Sequence, residues 1–533
     1  MNNKFKKSAL ILALALGITA CGNDSSKPAE EKDKKAETTE TAPAEEEKAT
    51  DEKAEEEKAT DKKAEEEATD ETETAKTDGE VPTLTYFNIG GEPTRHAEVV
   101  AAINEYLDSQ DAGYHIDTVF YDWGDYQQKL QLAINSGEDW DLAFTANWAG
   151  PYKTLADQNA LLDLNDYLDN ELKDAAELID DRMLEGSRIN GPLYGLPSAY
   201  PGVVAANQFV WNKEYVEKYD VPYEDLKTTT DIEPYLKEVK ENEPDAPYPY
   251  IVASDYLFAR ENPVFEVASG IGVKEEDGKL VAYSIYESED FKAEIDQMKK
   301  LYDEGLINPD APQLQPGEAD GSYESNLVGQ AEGEPGSQAV WSKPDEEKLS
   351  SIIGDSIVID NGKATGKLVS VNSQTENKEE ALDFINRMFT DKKLQDLLSY
   401  GVEGEDYELE DGKVKRLGES TEVYDVAAFQ YLSMYNRTPM AGGVGIGDPE
   451  FDEEVKEFES KLVASPTLGF NIDKTPIQGE LENIESTTSK YFINLKTGAF
   501  DEAYYEEFLD QLKTAGIEKA VTEVQNQLDA WKK

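Results

Sequence analysis

Side chains that do covalent or metal chemistry are scarce in this chain. It has 533 residues, with one Cys, two His, 51 Lys plus Arg and 113 Asp plus Glu. A single Cys excludes an internal disulfide and a Cys-based zinc site. Of the two His, His96 precedes an expected helix and His115 an expected strand, positions that suit structural or surface roles better than catalysis. No GxSxG, HExxH or Walker A pattern is present, and no EF-hand loop gathers acids for calcium. Glycosidases use paired carboxylates, but 113 acids offer so many pairs that none stands out. The expectation is no enzyme: no catalytic residue, no cofactor and no metal ligand set.

The charge excludes a further class. The formal net charge is −62, which repels phosphates and argues against binding nucleic acid or an anionic membrane surface. Removing the +3 of residues 1–21 and the −13 of residues 22–80 leaves −52 on residues 81–533. The main body is therefore itself acidic, and a surface of one sign stays soluble and self-repelling, consistent with a monomer.

The N-terminus reads as an address. Lys4, Lys6 and Lys7 precede the apolar run Ala9–Leu16, and small residues follow. This is a secretory signal pattern, too short for a comfortable membrane span of ~20 residues. It ends in Ile18-Thr19-Ala20-Cys21, which resembles the bacterial lipobox, in which the Cys receives lipid and becomes the new N-terminus. Residues 1–20 are thus expected to be a lipoprotein signal peptide. Cys21 begins an acidic tether, 21–80, in which Ala44–Lys53 is nearly repeated by Ala54–Lys63. Apolar residues other than Ala are almost absent there, so no core can form and the tether is expected to be disordered.

From Val81 the pattern changes. Thr83–Ile89, Ile116–Tyr121 and Asp141–Thr145 read as strands, separated by helical spacing over Glu98–Asp108 and after Asp125, which is expected to cap its helix with Gln128 as a capping box. The β-α-β-α-β order implies a parallel sheet whose ligands lie beyond the carboxyl ends of the strands. Those ends lead into Asn88–Thr94 and Thr145–Tyr152. Further helices are expected at Glu289–Glu304, stopped by Gly305, at Glu379–Thr390, at Leu394–Tyr400, and in two segments over Glu502–Trp531 divided by Gly516.

Four stretches carry a family resemblance. They are Trp123-Gly-Asp-Tyr126 with Ser136-Gly-Glu-Asp-Trp-Asp-Leu-Ala-Phe-Thr145; Leu193-Tyr-Gly-Leu-Pro197 with Trp211-Asn-Lys213; the strand-loop-helix Leu368–Phe389; and Tyr400-Gly-Val-Glu-Gly-Glu-Asp-Tyr407 with Leu512–Lys519 and Gln525–Trp531. Together with the lipobox they resemble extracellular solute-binding lipoproteins of bacterial ABC importers. The likeness is to the carbohydrate-binding, maltose-binding-protein-like branch, of the LplA/YtcQ-like type with its C-terminal module. The resemblance implies an α/β, two-lobed, type II periplasmic-binding-protein-like fold with a hinge. Lobe one is expected at about 81–200 and 366–445, and lobe two at about 205–360 and 446–533.

What it implies for function is a receptor held by lipid on Cys21 at the outer face of a Gram-positive-like cell membrane. It would capture a carbohydrate, expected to be an oligosaccharide, and deliver it to an ABC permease. A surface glycoside hydrolase, an adhesive lipoprotein and a receptor for a peptide-like solute are the alternatives. Sugars are held by aromatic rings on their C–H faces and by planar polar groups on their hydroxyls, in pockets with few polar groups. Trp148 aligns with a loop where related receptors place a stacking ring, and Trp341 is similar to a second one in lobe two. Glu92, after Gly90 and Gly91, would accept sugar hydroxyls, with Gly91 allowing close approach. Tyr200, Asn207 and Gln208 flank the expected hinge. Tyr256 and Arg260 are candidates in lobe two, and Tyr435, Asn436 and Arg437 form an aromatic-amide-guanidinium cluster.

Overall fold

The computed structural model describes residues 81–531 apart from 199–204, 255, 257, 261, 316–324, 344–345, 420, 425, 427–437 and 439–448. The expected signal peptide, Cys21 and the tether lie outside the described residues, as do Tyr200, Tyr435, Asn436 and Arg437.

Four strands come first: β1 (Thr83–Ile89), β2 (His115–Tyr121), β3 (Leu142–Thr145) and β4 (Leu196–Pro197). Then follow β5 (Ala206–Asn212), the consecutive β6 (Phe265–Ala268), β7 (Ile271–Glu276) and β8 (Lys279–Ser284), β9 (Val328–Gly333) and β10 (Lys348–Ile352). The last are β11 (Ile357–Ile359), β12 (Leu368–Val371), β13 (Tyr407–Glu410), β14 (Lys413–Arg416) and β15 (Leu462–Ala464).

The first sheet has the order β2-β1-β3-β12-β4. β1 runs parallel to β2 from Thr83 beside His115 to Ile89 beside Tyr121, and parallel to β3 through Tyr86 and Phe87. β12 runs antiparallel to β3 and β4, with Leu368 opposite Thr145 and Pro197. In β1 the residues pointing to both faces are buried, as a sheet covered on both sides demands. α1 (His96–Ser109) buries Val99, Ile103 and Leu107, and α2 (Tyr126–Ser136) buries Tyr126, Leu130 and Ala133, the helical spacing read from the sequence. Each such apolar side chain contributes about 1.5–3 kcal/mol when fully buried.

Asp141 fastens this sheet. Its Oδ2 accepts the Thr85 N–H at 2.8 Å, while Oδ1 accepts from Thr375 and from the Asn377 amide at 3.1 Å. One carboxylate thus ties β1 to the loop after β12. The expected capping box at Asp125 is absent. Asp125 is itself helical and its side chain caps nothing, because the turn starts earlier, with the Tyr126 N–H donating to Asp122 O. A capping box does form at Thr228 and Asp231, ahead of the helix Thr229–Asn242.

Beyond β4 the cores change. One core is built on the antiparallel sheet β10-β5-β9 and the helices Thr229–Asn242 and Glu289–Asp303. Another lies between the β6-β7-β8 sheet and the last three helices, Gln478–Thr497, Glu502–Ala515 and Ile517–Ala530. The Gln525 amide completes that seam: its oxygen accepts the Ala282 N–H at 2.8 Å and its nitrogen donates to Leu280 O at 3.1 Å, a side chain taking the place of an edge strand.

Among the described residues, three segments pass between the first core and these two. Ala206 lies in the first core and Phe209 in the second. Ile353 lies in the second and Ile357 in the first. Leu468 lies in the first and Phe470 in the third. The chain therefore divides later than expected near its end. Phe458, Leu462 and Leu468, expected in lobe two, pack with the first core, because β15 pairs in parallel with β11 and Leu468 lies against Gly186. For the same reason Ile357, Ile359 and Ala364 belong with lobe one.

Candidate functional site

The loop after β3 is a tight turn. Ala146 N–H donates to Ala149 O at 2.8 Å, and Gly150 closes the turn at φ 55. A Cβ on Gly150 would lie 2.8 Å from Phe144 O and 2.9 Å from the Tyr126 ring, so no other residue fits. The turn pushes Trp148 outward. Its indole N–H donates to Gly366 O at 2.7 Å, and beside it the Asn147 amide donates to Gly362 O at 3.0 Å. Trp123, just beyond β2, stacks on Trp148 with ring centroids 6.0 Å apart and planes 20° from parallel. Both are about half exposed, Trp123 at 51% and Trp148 at 47%, the two exposed aromatic rings among the described residues. In the sequence Trp123 belongs to a family motif, and it carries the same kind of signal as Trp148: an aromatic within two residues of a glycine just past a strand end.

At the end of β1, Gly90 N–H donates to Tyr121 O at 2.8 Å, and Gly91 is exposed with Asp122 Oδ1 as the nearest atom, 3.8 Å from where its Cβ would be. Backbone here is open to a ligand. Glu92 is exposed, its Oε1 3.2 Å from His96 Nδ1, while His96 Nε2 is 2.6 Å from Thr118 Oγ1. His96 is a strut between α1 and β2, and His115 pairs with Asp108 at 3.0 Å.

The turn that holds Trp148 also reaches the crossing segments. Lys363 donates to Ala205 O, and its Nζ lies 3.4 Å from Glu332 Oε1 on β9. Lys363, Glu332 and Asn207 line a cavity of about 460 Å³ whose walls also include Ile353 and Ile357 of the second crossing segment, Phe258, Arg260, Glu266, Tyr286 and Phe492. The cavity thus lies where the lobes exchange chain. Lys367 is nearby in sequence; burial lowers its ammonium below the usual lysine range, opposed by Glu334.

The remaining candidates divide. Asn207 is half-buried on the cavity wall. Arg260 is on the same wall, but its guanidinium pairs with Glu294 and lies 4.9 Å over the Phe258 ring, so its charge is spoken for. Gln208 is a correction: it is buried, and its amide donates to Gly333 O at 2.9 Å, making it a brace of β5 on β9. Tyr256 is likewise a correction, buried in the second core with its ring edge-on to Tyr250 and Phe258. The successive side chains of a strand face opposite ways, so Asn207 and Gln208 cannot both face one cavity. Trp341 ends a short helix, Ser337–Trp341, and lies on Gly333, where a Cβ would be 2.5 Å from its ring. The turn before it is tied to the other lobe: Gly336 N–H donates to Glu454 Oε1 at 3.0 Å.

A family model described as bacterial extracellular solute-binding protein matches residues 92–394. The chain belongs to that family. A model described as a domain of unknown function matches residues 466–533 of this solute-binding protein. A Streptococcus pneumoniae protein named carbohydrate ABC transporter substrate-binding protein is 25% identical over 499 residues, 87% of this chain and 94% of that one. Lipoprotein LipO of Bacillus subtilis is 26% identical over 318 residues, 54% of this chain and 60% of that one. Among solved structures, the N-glycan transport solute-binding protein NgtS of Streptococcus pneumoniae matches with a TM-score of 0.71 at 23% identity, covering 84% of this chain and 98% of its own. An HMO-binding, ABC-transporter-associated solute-binding protein of Bifidobacterium longum infantis matches with a TM-score of 0.59 at 16% identity, covering 85% and 99%. These structures establish the type II solute-binding fold.

Proposed function

We propose that this extracellular solute-binding protein captures an oligosaccharide between its lobes and hands it to an ABC permease. The observation that carries the reading is the stacked, half-exposed pair Trp123 and Trp148 at the carboxyl ends of β2 and β3. An exposed aromatic pair costs the fold hydration without adding core, and a sugar's C–H face is the complementary surface. Gly366 O holds Trp148, and Gly362 O its neighbour Asn147, on the turn that carries Lys363, so the platform and the 460 Å³ cavity share one support. Pairing of Arg260 with Glu294 and of Lys363 with Glu332 cancels charge on the cavity side, as a neutral ligand requires. The name of the 25%-identical relative supports the carbohydrate class.

Ligand contacts in this reading come from Trp148, Trp123, Gly91, Glu92, Asn207 and Trp341. Lipid on Cys21 anchors the receptor, the tether 21–80 sets its reach, and closure of the lobes is what the permease senses. Titration calorimetry across a broad saccharide panel tests the reading. Saccharide binding that weakens in Trp148→Ala is the expected result. Absence of binding to every saccharide overturns the carbohydrate class, whereas wild-type affinity in Trp148→Ala overturns only the platform.

A further inference from the structure

A second cavity, of about 290 Å³, shares Glu266, Tyr286 and Phe492 with the first. Its far wall is the helix Gln478–Thr497, which presents Glu485, Thr488, Ser489, Phe492 and Lys496 to it. Residues three, four and seven apart share one helix face. The stripe this helix gives to the core is a different one, with Leu481, Ile484, Tyr491 and Leu495. A face built only for packing would be apolar. The cavity face instead carries hydroxyls, a carboxylate and an ammonium around Phe492 and Ile493, and Ser254 and Ser269 add hydroxyls from the opposite side.

The junction of the two cavities is shaped by Tyr286 and Glu266. Gly270 has φ 72, and a Cβ there would meet the Tyr286 ring at 2.4 Å, so the glycine lets the ring lie where it separates the two spaces. Glu266 is reached by solvent yet walled in by protein, which pushes its carboxyl above the usual range despite the Gly270 N–H held at 2.8 Å. A carboxyl in such a concave site is a strong acceptor for hydroxyl donors.

We propose that the cleft continues into this second cavity, where the helix Gln478–Thr497 builds a subsite for one neutral, hydroxyl-rich sugar unit at an end of the ligand. This rests on the carbohydrate reading above. Ser254, Ser269, Thr488 and Ser489 exchange hydrogen bonds with ring hydroxyls, Glu266 accepts one, and Phe492, stacked on Phe291, adds an apolar edge. The volume is at the small end of ligand pockets, ~300–1,000 Å³, room for one ring and not a chain. The stretch matched as a domain of unknown function thereby acquires a role in choosing the ligand.

Calorimetry with neutral oligosaccharides that differ by one unit tests this on the purified protein. The wild type is expected to gain about tenfold in affinity, ~1.4 kcal/mol, when the unit that reaches the second cavity is added. Ser489→Tyr, which fills the cavity from an exposed helix position, is expected to abolish that gain and leave the shorter ligand within about twofold. Thr488→Val, nearly equal in shape, is expected to lose about three- to tenfold for the longer ligand alone. Equal gains in the wild type and both variants, or no gain in the wild type, overturn the subsite while the carbohydrate reading stands. No saccharide binding by the wild type overturns both.

Discussion

Trp123 and Trp148 face each other across the ends of two different strands, 6.0 Å between ring centroids, and each keeps about half its surface in water. Neither ring fills a core, so removing one is expected to shift Tm by less than about 2 °C. Affinity for the best saccharide is expected to fall about tenfold or more, ~1.4 kcal/mol, in Trp148→Ala and in Trp123→Ala. In the double variant the losses fall short of additive, because each ring holds the other in place. Calorimetry and thermal unfolding on the same samples check both parts.

Trp341 has a different neighbour. Its ring occupies the space above Gly333, whose carbonyl also receives the Gln208 amide. Gly333→Ala overpacks this contact and is expected to cost about 1–3 kcal/mol in urea unfolding. Tryptophan fluorescence should shift as the indole moves. Trp341→Ala then separates two roles: a stacking ring loses affinity, whereas a merely packed ring loses stability with affinity unchanged.

Glu233 makes stability depend on pH. Burial alone would raise its carboxyl, but hydrogen bonds from Gln297, Lys237 and Lys300 outweigh that and hold it at about 2. The folded value lies below the unfolded one, ~4.3, so the stabilisation is present above about pH 4.3 and is lost as pH falls toward 2. Glu233→Gln is expected to be less stable than the wild type by about 1–3 kcal/mol at pH 7. That difference should shrink steadily below pH 4, which urea melts from pH 7 to pH 2.5 would follow.

Membrane attachment is predicted to hang on one atom, the Cys21 sulfur. Cys21→Ser is expected to release the receptor from the membrane fraction and to abolish incorporation of labelled fatty acid. Saccharide affinity should be unchanged, because the proposed ligand contacts all lie at or beyond Gly91. Persistence of the variant in the membrane fraction would remove the lipid anchor.

Many single elements were legible in both lobes. β1, β2 and the helix over 96–109 in the first core, and the helices over 289–303, 502–515 and 517–530 in the others, carry apolar residues at the spacing of their faces, and Gly305 and Gly516 end helices as read. The first-lobe platform was half legible: Trp148 stood out, while Trp123 looked like a motif residue until the fold set the rings side by side. Gln208, by the expected hinge, and Tyr256, in lobe two, proved buried because a polar or amphipathic residue carries no mark of the direction it faces.

The sequence by itself determined local matters and class: amphipathic faces and a family order of motifs. Those follow from short-range periodicity and composition. Tertiary structure alone decided which distant segments meet. It set β15 beside β11 and moved 458–468 into the first core. It also hung Trp148 on Gly366 and brought Glu266 of β6 to the face of the last domain's helix. Such contacts form between residues tens or hundreds apart, where the gain is burial and hydrogen bonding in three dimensions and leaves no period in the chain.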